Sequence, residues 1–230
     1  MVDVFELDHE LADTIGNGDL ESALRTAAVE VPRGPWAAPR RAEPGALGLL
    51  VLDGLMIRRV RYGTATCSEL LGPGDLLRPW LEDAESLLEA EAEWEVIEPG
   101  RLALLNGRAA QLCAAQPALV GKLLDRALLR ARRRAMLSAI AATKRIEDRL
   151  LLLFGHLGGR WGHVTPEGVV IPLKLTHALL ADLVAARRPT VTTAVRGLRE
   201  AGILERHEEG WLLTPHGQDQ LRATGPAAAA

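Results

Sequence analysis

The spacing of apolar residues changes character along the 230-residue chain. Over positions 3–30 it suits short helices, with Leu7, Leu11 and Ile15, then Leu20 and Leu24. Pro32, Pro35, Pro39 and Pro44 then break any helix, because proline lacks an N–H and clashes with the preceding turn. From Gly45 the pattern shortens to alternation. Leu47, Leu49 and Val51, then Leu55, Ile57 and Val60, flank Asp53-Gly54, which predicts a hairpin with Asp-Gly as its turn. Thr64–Leu70 reads as another strand and Gly72-Pro73-Gly74-Asp75 as a turn. Trp94–Ile97 and Arg101–Leu105 read as strands joined by a turn at Glu98-Pro99-Gly100. Short strands with turns at this spacing predict an antiparallel β-roll or sandwich. Leu81–Ala92 reads as a short helix within a very acidic stretch. Leu81 to Glu98 holds eight Asp or Glu and no Lys or Arg, most simply a solvated face.

Helical spacing returns at Pro117, which suits the first position of a helix. From there to about Ala142 no further proline occurs. Val120, Leu124, Leu128, Ala131, Ala135 and Ile140 form an apolar stripe, widened by Leu123, Ala127 and Leu137. Such a helix spans about 39 Å, more than a small domain covers, and predicts a coiled-coil-like dimer seam. Arg130, Arg132, Arg133 and Arg134 read as a solvated face or as partners of the preceding acidic stretch. A further helix is expected from Thr143 as N-cap to about His156, ended by Gly158-Gly159.

The C-terminal part carries the functional signal. A strand over Val169–Leu175 precedes a helix that Thr176 caps, with Leu179, Leu180, Leu183 and Val184 apolar. After a break at Ala185-Ala186-Arg187, a second helix has Pro189 in its first turn and runs through Val191, Val195 and Leu198 to Gly202. Two helices joined by a short turn form a helix-turn-helix, and Ala181 is small where they cross. Val184, Val191 and Ala194 take the shared core. Ile203–Arg206 and Trp211–Leu213 around His207-Glu208-Glu209-Gly210 form a hairpin, the wing. Helix, turn, helix and hairpin in this order, roughly Leu173 to Thr214, predict a winged helix that binds double-stranded DNA. The apolar assignment leaves Arg187, Arg188, Thr190, Thr192, Thr193 and Arg196 outside. With Pro189 and Thr176 they make the candidate DNA-binding set. Arginine pairs with guanine in bidentate fashion, and threonine meets bases, phosphates or a thymine methyl. No carboxylate interrupts the stretch from Ala185 to Arg199, and one there would oppose the phosphate contacts.

Composition narrows the classes. Net charge is −3, so nucleic-acid binding rests on how the charge is distributed, not on its total. Cys67 and Cys113 stand apart, without His or Cys at ligand spacing, which argues against a disulfide framework, a zinc site and an iron–sulfur cluster. The scattered histidines include no pair at metal spacing. The acidic N-terminus and the absence of a long apolar run predict a cytoplasmic chain without a leader or a membrane span. No nucleophile elbow or phosphate loop is present, so no catalytic residue, metal or cofactor is expected, and the chain is not read as an enzyme. An apolar ligand pocket near Trp80 and Trp94 is the one small-molecule site the sequence suggests.

The string LTHALLADLVAARRPTVTTAVRGLREAGIL, Leu175 to Leu204, resembles the helix-turn-helix of the Crp/Fnr family of bacterial transcription regulators. GALGLLVLDGLMIRRV and ELLGPGDLLRPW resemble strands and a turn of that family's cyclic-nucleotide-binding-like sensor. The resemblance implies an α+β architecture with an N-terminal antiparallel, jelly-roll-like β-roll, a long dimerisation helix and a C-terminal winged helix-turn-helix. The implied domains are a sensor with N-terminal helices over 1–116, the dimerisation helix over 117–142, the DNA-binding domain over 143–222 and a disordered tail over 223–230. It further implies a homodimer on a two-fold DNA operator, with RNA polymerase as a further partner. Arg188 is the implied chief base reader, Thr192 and Thr193 come next, and Thr190 contacts phosphate. Pro189 and Thr193 stand where many members carry Glu and a second Arg, so the operator is expected to differ. Ala185 replaces the turn glycine.

The sensor departs further. Cyclic-nucleotide-binding members carry a Gly-Glu-Leu stretch and an Arg-Ser pair that grip ribose and phosphate. Here Gly74-Asp75-Leu76-Leu77 is followed by Arg78-Pro79-Trp80-Leu81-Glu82-Asp83. Binding of cyclic AMP by the usual cassette is therefore not expected. The alternative is that an unidentified small molecule in the β-roll switches DNA affinity.

Overall fold

The computed structural model describes residues 2–13, 25–81 and 90–224 and divides into two compact units, 1–134 and 135–230. The first opens with β1 (Val2–Asp3), α1 (Val4–Leu7) and α2 (His9–Ala12), followed by β2 (Arg25–Thr26), β3 (Ala28–Val31) and β4 (Gly34–Pro35). Two long strands, β5 (Gly48–Tyr62) and β8 (Glu91–Leu105), form its spine, with β6 (Ala65–Leu71) and β7 (Leu76–Leu77) between them in sequence. All pairings are antiparallel. The order is β3-β8-β5-β6, with β4 on β8 and β7 on β5. Successive side chains of a strand point to opposite faces. Leu49 and Val51 accordingly join Leu71, Leu77, Trp94 and Leu102 in one core, while Leu50 and Leu52 join Phe5, Leu105 and Cys113 in another.

Two expected turns are absent. Asp53-Gly54 and Glu98-Pro99-Gly100 both lie inside continuous strands, opposite one another where the β5–β8 register shifts. The glycines serve a bulge there. Gly54 has φ +89°, and a Cβ on it would stand 2.7 Å from the Gly100 Cα. Arg101 and Asp53 pair across the same irregularity. The turn at Gly72–Asp75 forms as expected, and the Asp75 carboxylate accepts the Gly72 N–H at 2.9 Å. Beyond a short turn at Pro79–Leu81, residues 82–89 of the expected acidic helix lie outside the described residues, and its remainder from Glu91 is strand. Ile15, Leu20 and Leu24, and residues 225–230 of the expected tail, also lie outside them.

Asn106 caps α3 (Gly107–Ala115), a helix not foreseen, and α4 (Pro117–Ala142) follows at the expected bounds. Among the described residues, several of its arginines have carboxylate partners outside the acidic stretch. Arg126 pairs with Asp8 at 2.5 Å and Glu10 at 3.1 Å, Arg130 with Glu69 at 2.8 Å, and Arg133 with Asp75 at 3.3 Å. Glu69 also meets the buried Arg58 at 3.2 Å.

In the second unit, α5 (Ile146–Trp161) has its N-cap two residues later than expected. Thr143 Oγ1 bonds back to the Ala139 carbonyl, so Arg145 takes the N-cap position. Gly158-Gly159 does not end α5, which continues to Trp161. The Gly158 Cα faces Val169 and Ile171, so it serves close packing. Then come β9 (His163–Thr165), β10 (Gly168–Ile171), α6 (His177–Leu183), α7 (Arg188–Glu200), β11 (Leu204–His207), β12 (Gly210–Leu213) and α8 (Pro215–Thr224). The sheet order is β11-β12-β10-β9. Phe154 and Trp211, both fully buried, meet at 5.1 Å between ring centroids in the core. Neither β9 nor α8 was foreseen.

Candidate nucleic-acid interface

Helix α6 begins at Thr176, whose hydroxyl accepts the Leu179 N–H at 3.2 Å. It ends in a Schellman motif: Ala186 N–H donates to the Ala181 carbonyl at 2.9 Å and Ala185 N–H to that of Asp182 at 3.4 Å. The motif requires a left-handed residue, and Ala185 supplies it at φ +50°, alone among the described non-glycine residues. Arg149 of α5 donates to the Val184 carbonyl at 3.2 Å, fixing the same corner.

The turn sets the start of α7. Pro189 is its second residue, and Val191, Ala194, Val195 and Leu198 bury one face. Arg187, Arg188, Pro189, Thr190, Thr192, Thr193 and Arg196 are all exposed, as is Thr176 at the head of α6. Thr192 is exposed but engaged. Its hydroxyl donates to the Arg188 carbonyl at 3.0 Å and lies 3.0 Å from His177 Nδ1. A threonine so bonded has its methyl and one acceptor lone pair to offer a base. Arg196 lies 3.8 Å from Glu200, with both side chains in solvent, a weak contact that a phosphate would displace.

Three residues near this face were not singled out from the sequence: His177, Arg199 and Arg206. Arg199 continues the spacing Arg188, Thr192, Arg196, and extending the helical period by one turn would have found it. Arg206 leaves β11 and stacks 3.7 Å above the Trp211 ring centroid. Burial, then the charges of Arg206, Arg188 and Arg199, hold the His177 pKa below that of a free imidazole.

On α4, Val120, Leu124, Leu128, Ala131 and Ala135 are exposed in the single chain, with Leu128 at 58%. Ile140, expected in the same stripe, is 2% exposed and belongs to the chain's own packing, as does Leu137. In the β-roll a groove of about 900 Å³ runs between Pro35–Arg40 and the start of β8. Trp36 and Trp94 meet edge to face on it at 5.6 Å. Pro79 lines it, whereas Trp80 does not. Glu91, Glu93 and Glu95 also line it, against Arg40 and Arg59.

Residues 144–223 match the Crp-like helix-turn-helix domain family. No curated protein matches the chain. Solved structures match over most of its length. A cyclic nucleotide-binding domain containing protein from Listeria monocytogenes EGD-e has a TM-score of 0.69 at 15% identity, covering 94% of this chain and 99% of that one. FixK2 from Bradyrhizobium japonicum has 0.66 at 17%, covering 90% and 100%. A CRP/FNR family transcriptional regulator from Thermus thermophilus has 0.61 at 20%, covering 86% and 100%. The chain thus has the fold of Crp-family transcription regulators, with a Crp-like helix-turn-helix domain at its C-terminal end.

Proposed function

We propose that this chain is a cytoplasmic, homodimeric, sequence-specific transcription regulator of the Crp/Fnr type, not an enzyme. In this reading α7 enters the major groove of a two-fold operator. One observation carries it. From Arg187 to Arg196 the exposed side chains are cationic, hydroxyl-bearing or small, while every larger apolar residue of that stretch except Pro189 is buried. A helix that enters the major groove presents the residues of its N-terminal half to base edges, and Arg188 stands at that end of α7. Arg188 is the chief reader, Thr193 and Arg196 assist, and Thr190 and Thr176 hold the backbone. Thr192 contributes through its methyl, with its hydroxyl bonded locally.

Two copies bring their α7 helices together through α4, whose exposed stripe Val120, Leu124, Leu128, Ala131 and Ala135 supplies an apolar seam. The operator is obtained by selecting sites from random duplexes. Against the selected site, Arg188→Ala lowers specific affinity by about 1–3 kcal/mol, the size of one bidentate base contact. An unchanged specific-to-nonspecific ratio would make Arg188 a phosphate contact only.

The β-roll does not take cyclic AMP through the usual cassette, since Arg78–Leu81 supplies no Gly-Glu-Leu and the nearby groove is rimmed by Glu91, Glu93 and Glu95. That groove, walled by Trp36 and Trp94, favours a second reading in which a small molecule binds there and switches DNA affinity. A thermal-shift screen with nucleotides and metabolites tests it. Stabilisation by cyclic AMP at micromolar concentration overturns the first of these statements.

A further inference from the structure

Beside the recognition helix, on its wing side, lies a concavity of about 270 Å³ bounded among others by His177, Thr193, Arg196, Arg199, Arg206 and Trp211. Besides Arg196, which has Glu200 at 3.8 Å, Arg199 comes from α7 and Arg206 from β11, so two secondary-structure elements bring two further guanidinium groups to one hollow. Among the described residues neither has an ion-pair partner. Burial and the charge of Arg199 both push the Arg206 pKa down, and no carboxylate offsets them. Stacking on the fully buried Trp211 nevertheless holds Arg206 in place. Two like charges kept together without a counter-charge call for an anion from outside. Arginine's fixed fork of donors suits the oxygens of a phosphate group.

We propose that this concavity seats one phosphate of the DNA backbone, held between the guanidinium groups of Arg199 and Arg206 with the Thr193 hydroxyl beside them. The proposal rests on α7 reading the major groove and extends that reading to the strand next to the wing. Sequence plays no part in the contact. It fixes the depth and tilt at which Arg188 meets the bases. A free phosphate ion has the same chemistry, and the test separates the two sources.

Binding of two unrelated 30-base-pair duplexes is measured by fluorescence anisotropy over a range of salt concentrations. No operator is needed, because nonspecific binding is itself phosphate contact. Arg199→Gln and Arg206→Gln should each lower the slope of log K against log salt by about 1 and weaken both duplexes by the same factor. Arg206→Lys, which keeps the charge, should retain the slope. Thermal melts monitor folding, and the exposed Arg199 gives the answer if Arg206→Gln unsettles the wing. An unchanged slope in the Arg199 variant overturns the proposal, as does a loss confined to one duplex, which would mark a base reader. In a second arm, inorganic phosphate at matched ionic strength is added to thermal melts. Protection of the wild type without any slope change overturns DNA as the source. If the wild type binds no duplex, both readings fall. If Arg188→Ala abolishes sequence preference while both Gln variants keep the full slope, only this one falls.

Discussion

Helix α7 buries Val191, Ala194, Val195 and Leu198 and exposes Arg188, Thr193 and Arg196, whereas α4 does nearly the reverse over much of its length. On α4 the Arg126 side chain is 8% exposed and Leu128 is 58% exposed. The first arrangement is the ordinary amphipathic helix, with its apolar stripe against the core. The second is stable within one chain only because each inward arginine meets a carboxylate, Asp8, Glu10, Glu69 or Asp75. An isolated charge transferred to an apolar interior is strongly disfavoured, and the observed pairing is what makes the inversion tolerable. The outward leucines are the counterpart. A stripe of apolar residues about four turns long that its own chain leaves in water is the surface a second copy would cover. The two helices therefore carry different information. In the function proposed above, the exposed face of α7 meets DNA and the exposed face of α4 meets another α4.

The comparison breaks most sharply at Arg126. Truncating one member of a buried ion pair leaves the other charge without compensation, which costs about 3–5 kcal/mol. Arg126→Ala should lower the urea midpoint accordingly at fixed protein concentration, and Asp8→Asn in the same chain should recover part of the loss. If Arg126→Ala melts like the wild type, the inward arginines of α4 are ornamental and the inverted helix needs another explanation. Next in size is Leu128→Asp. Each copy forgoes burial of one leucine at the seam, about 1.5–3 kcal/mol, and the two-fold axis sets the new carboxylates near each other. Sedimentation should show monomers with unchanged secondary structure. Ile140→Asp should instead unfold the chain, since that residue is already buried. A Leu128→Asp dimer as tight as the wild type would place the seam elsewhere.

The contrast also explains what the sequence disclosed. The helical periods of α4, α6 and α7 were legible because their stripes depend on residues three and four apart. The candidate DNA-binding residues followed from the apolar positions of α7. The inward arginines were not legible, because their partners lie 61 and 118 positions away in Glu69 and Asp8. The strands failed for a related reason. Asp53-Gly54 and Glu98-Pro99-Gly100 carry turn composition, yet each glycine is required by the strand opposite it, about 46 residues away in sequence. Gly158 misled in the same manner, its space being set by Val169 and Ile171. The engagement of Thr192 was equally hidden, since His177 reaches it from another helix.

A smaller effect sharpens the description of α7 itself. Ala185 holds a left-handed conformation that costs a residue with a Cβ about 1–2 kcal/mol, whereas glycine adopts it freely. Glycine in turn gives up about 0.5–1 kcal/mol through the greater freedom of its unfolded chain. Ala185→Gly should therefore raise stability by up to about 1.5 kcal/mol, read as a rise of a few degrees in melting temperature, without altering DNA affinity. A fall in stability would mean that the turn is not left-handed in solution.

The smallest effect concerns pH. Burial, followed by the charges of Arg206 from β11 and of Arg188 and Arg199 from α7, lowers the folded-state pKa of His177. In the unfolded chain the imidazole titrates near about 6.5. Above that pH both states are neutral and His177 adds no pH dependence. As pH falls below it, the unfolded chain takes up the proton first, so stability drops until the lower folded-state pKa is reached. His177→Gln, which keeps a hydrogen-bonding group toward Thr192, should remove that part of the acid slope and leave stability at pH 8 little changed. DNA should act in the opposite sense. A phosphate between Arg199 and Arg206 offsets the charges that depress the imidazole, so binding takes up a proton and affinity rises as pH falls through this range. Calorimetric titrations in buffers of different ionisation enthalpy count that proton. Its uptake by the wild type and its absence in His177→Gln would tie the hollow beside α7 to the DNA, and equal uptake by both would assign the proton to another group.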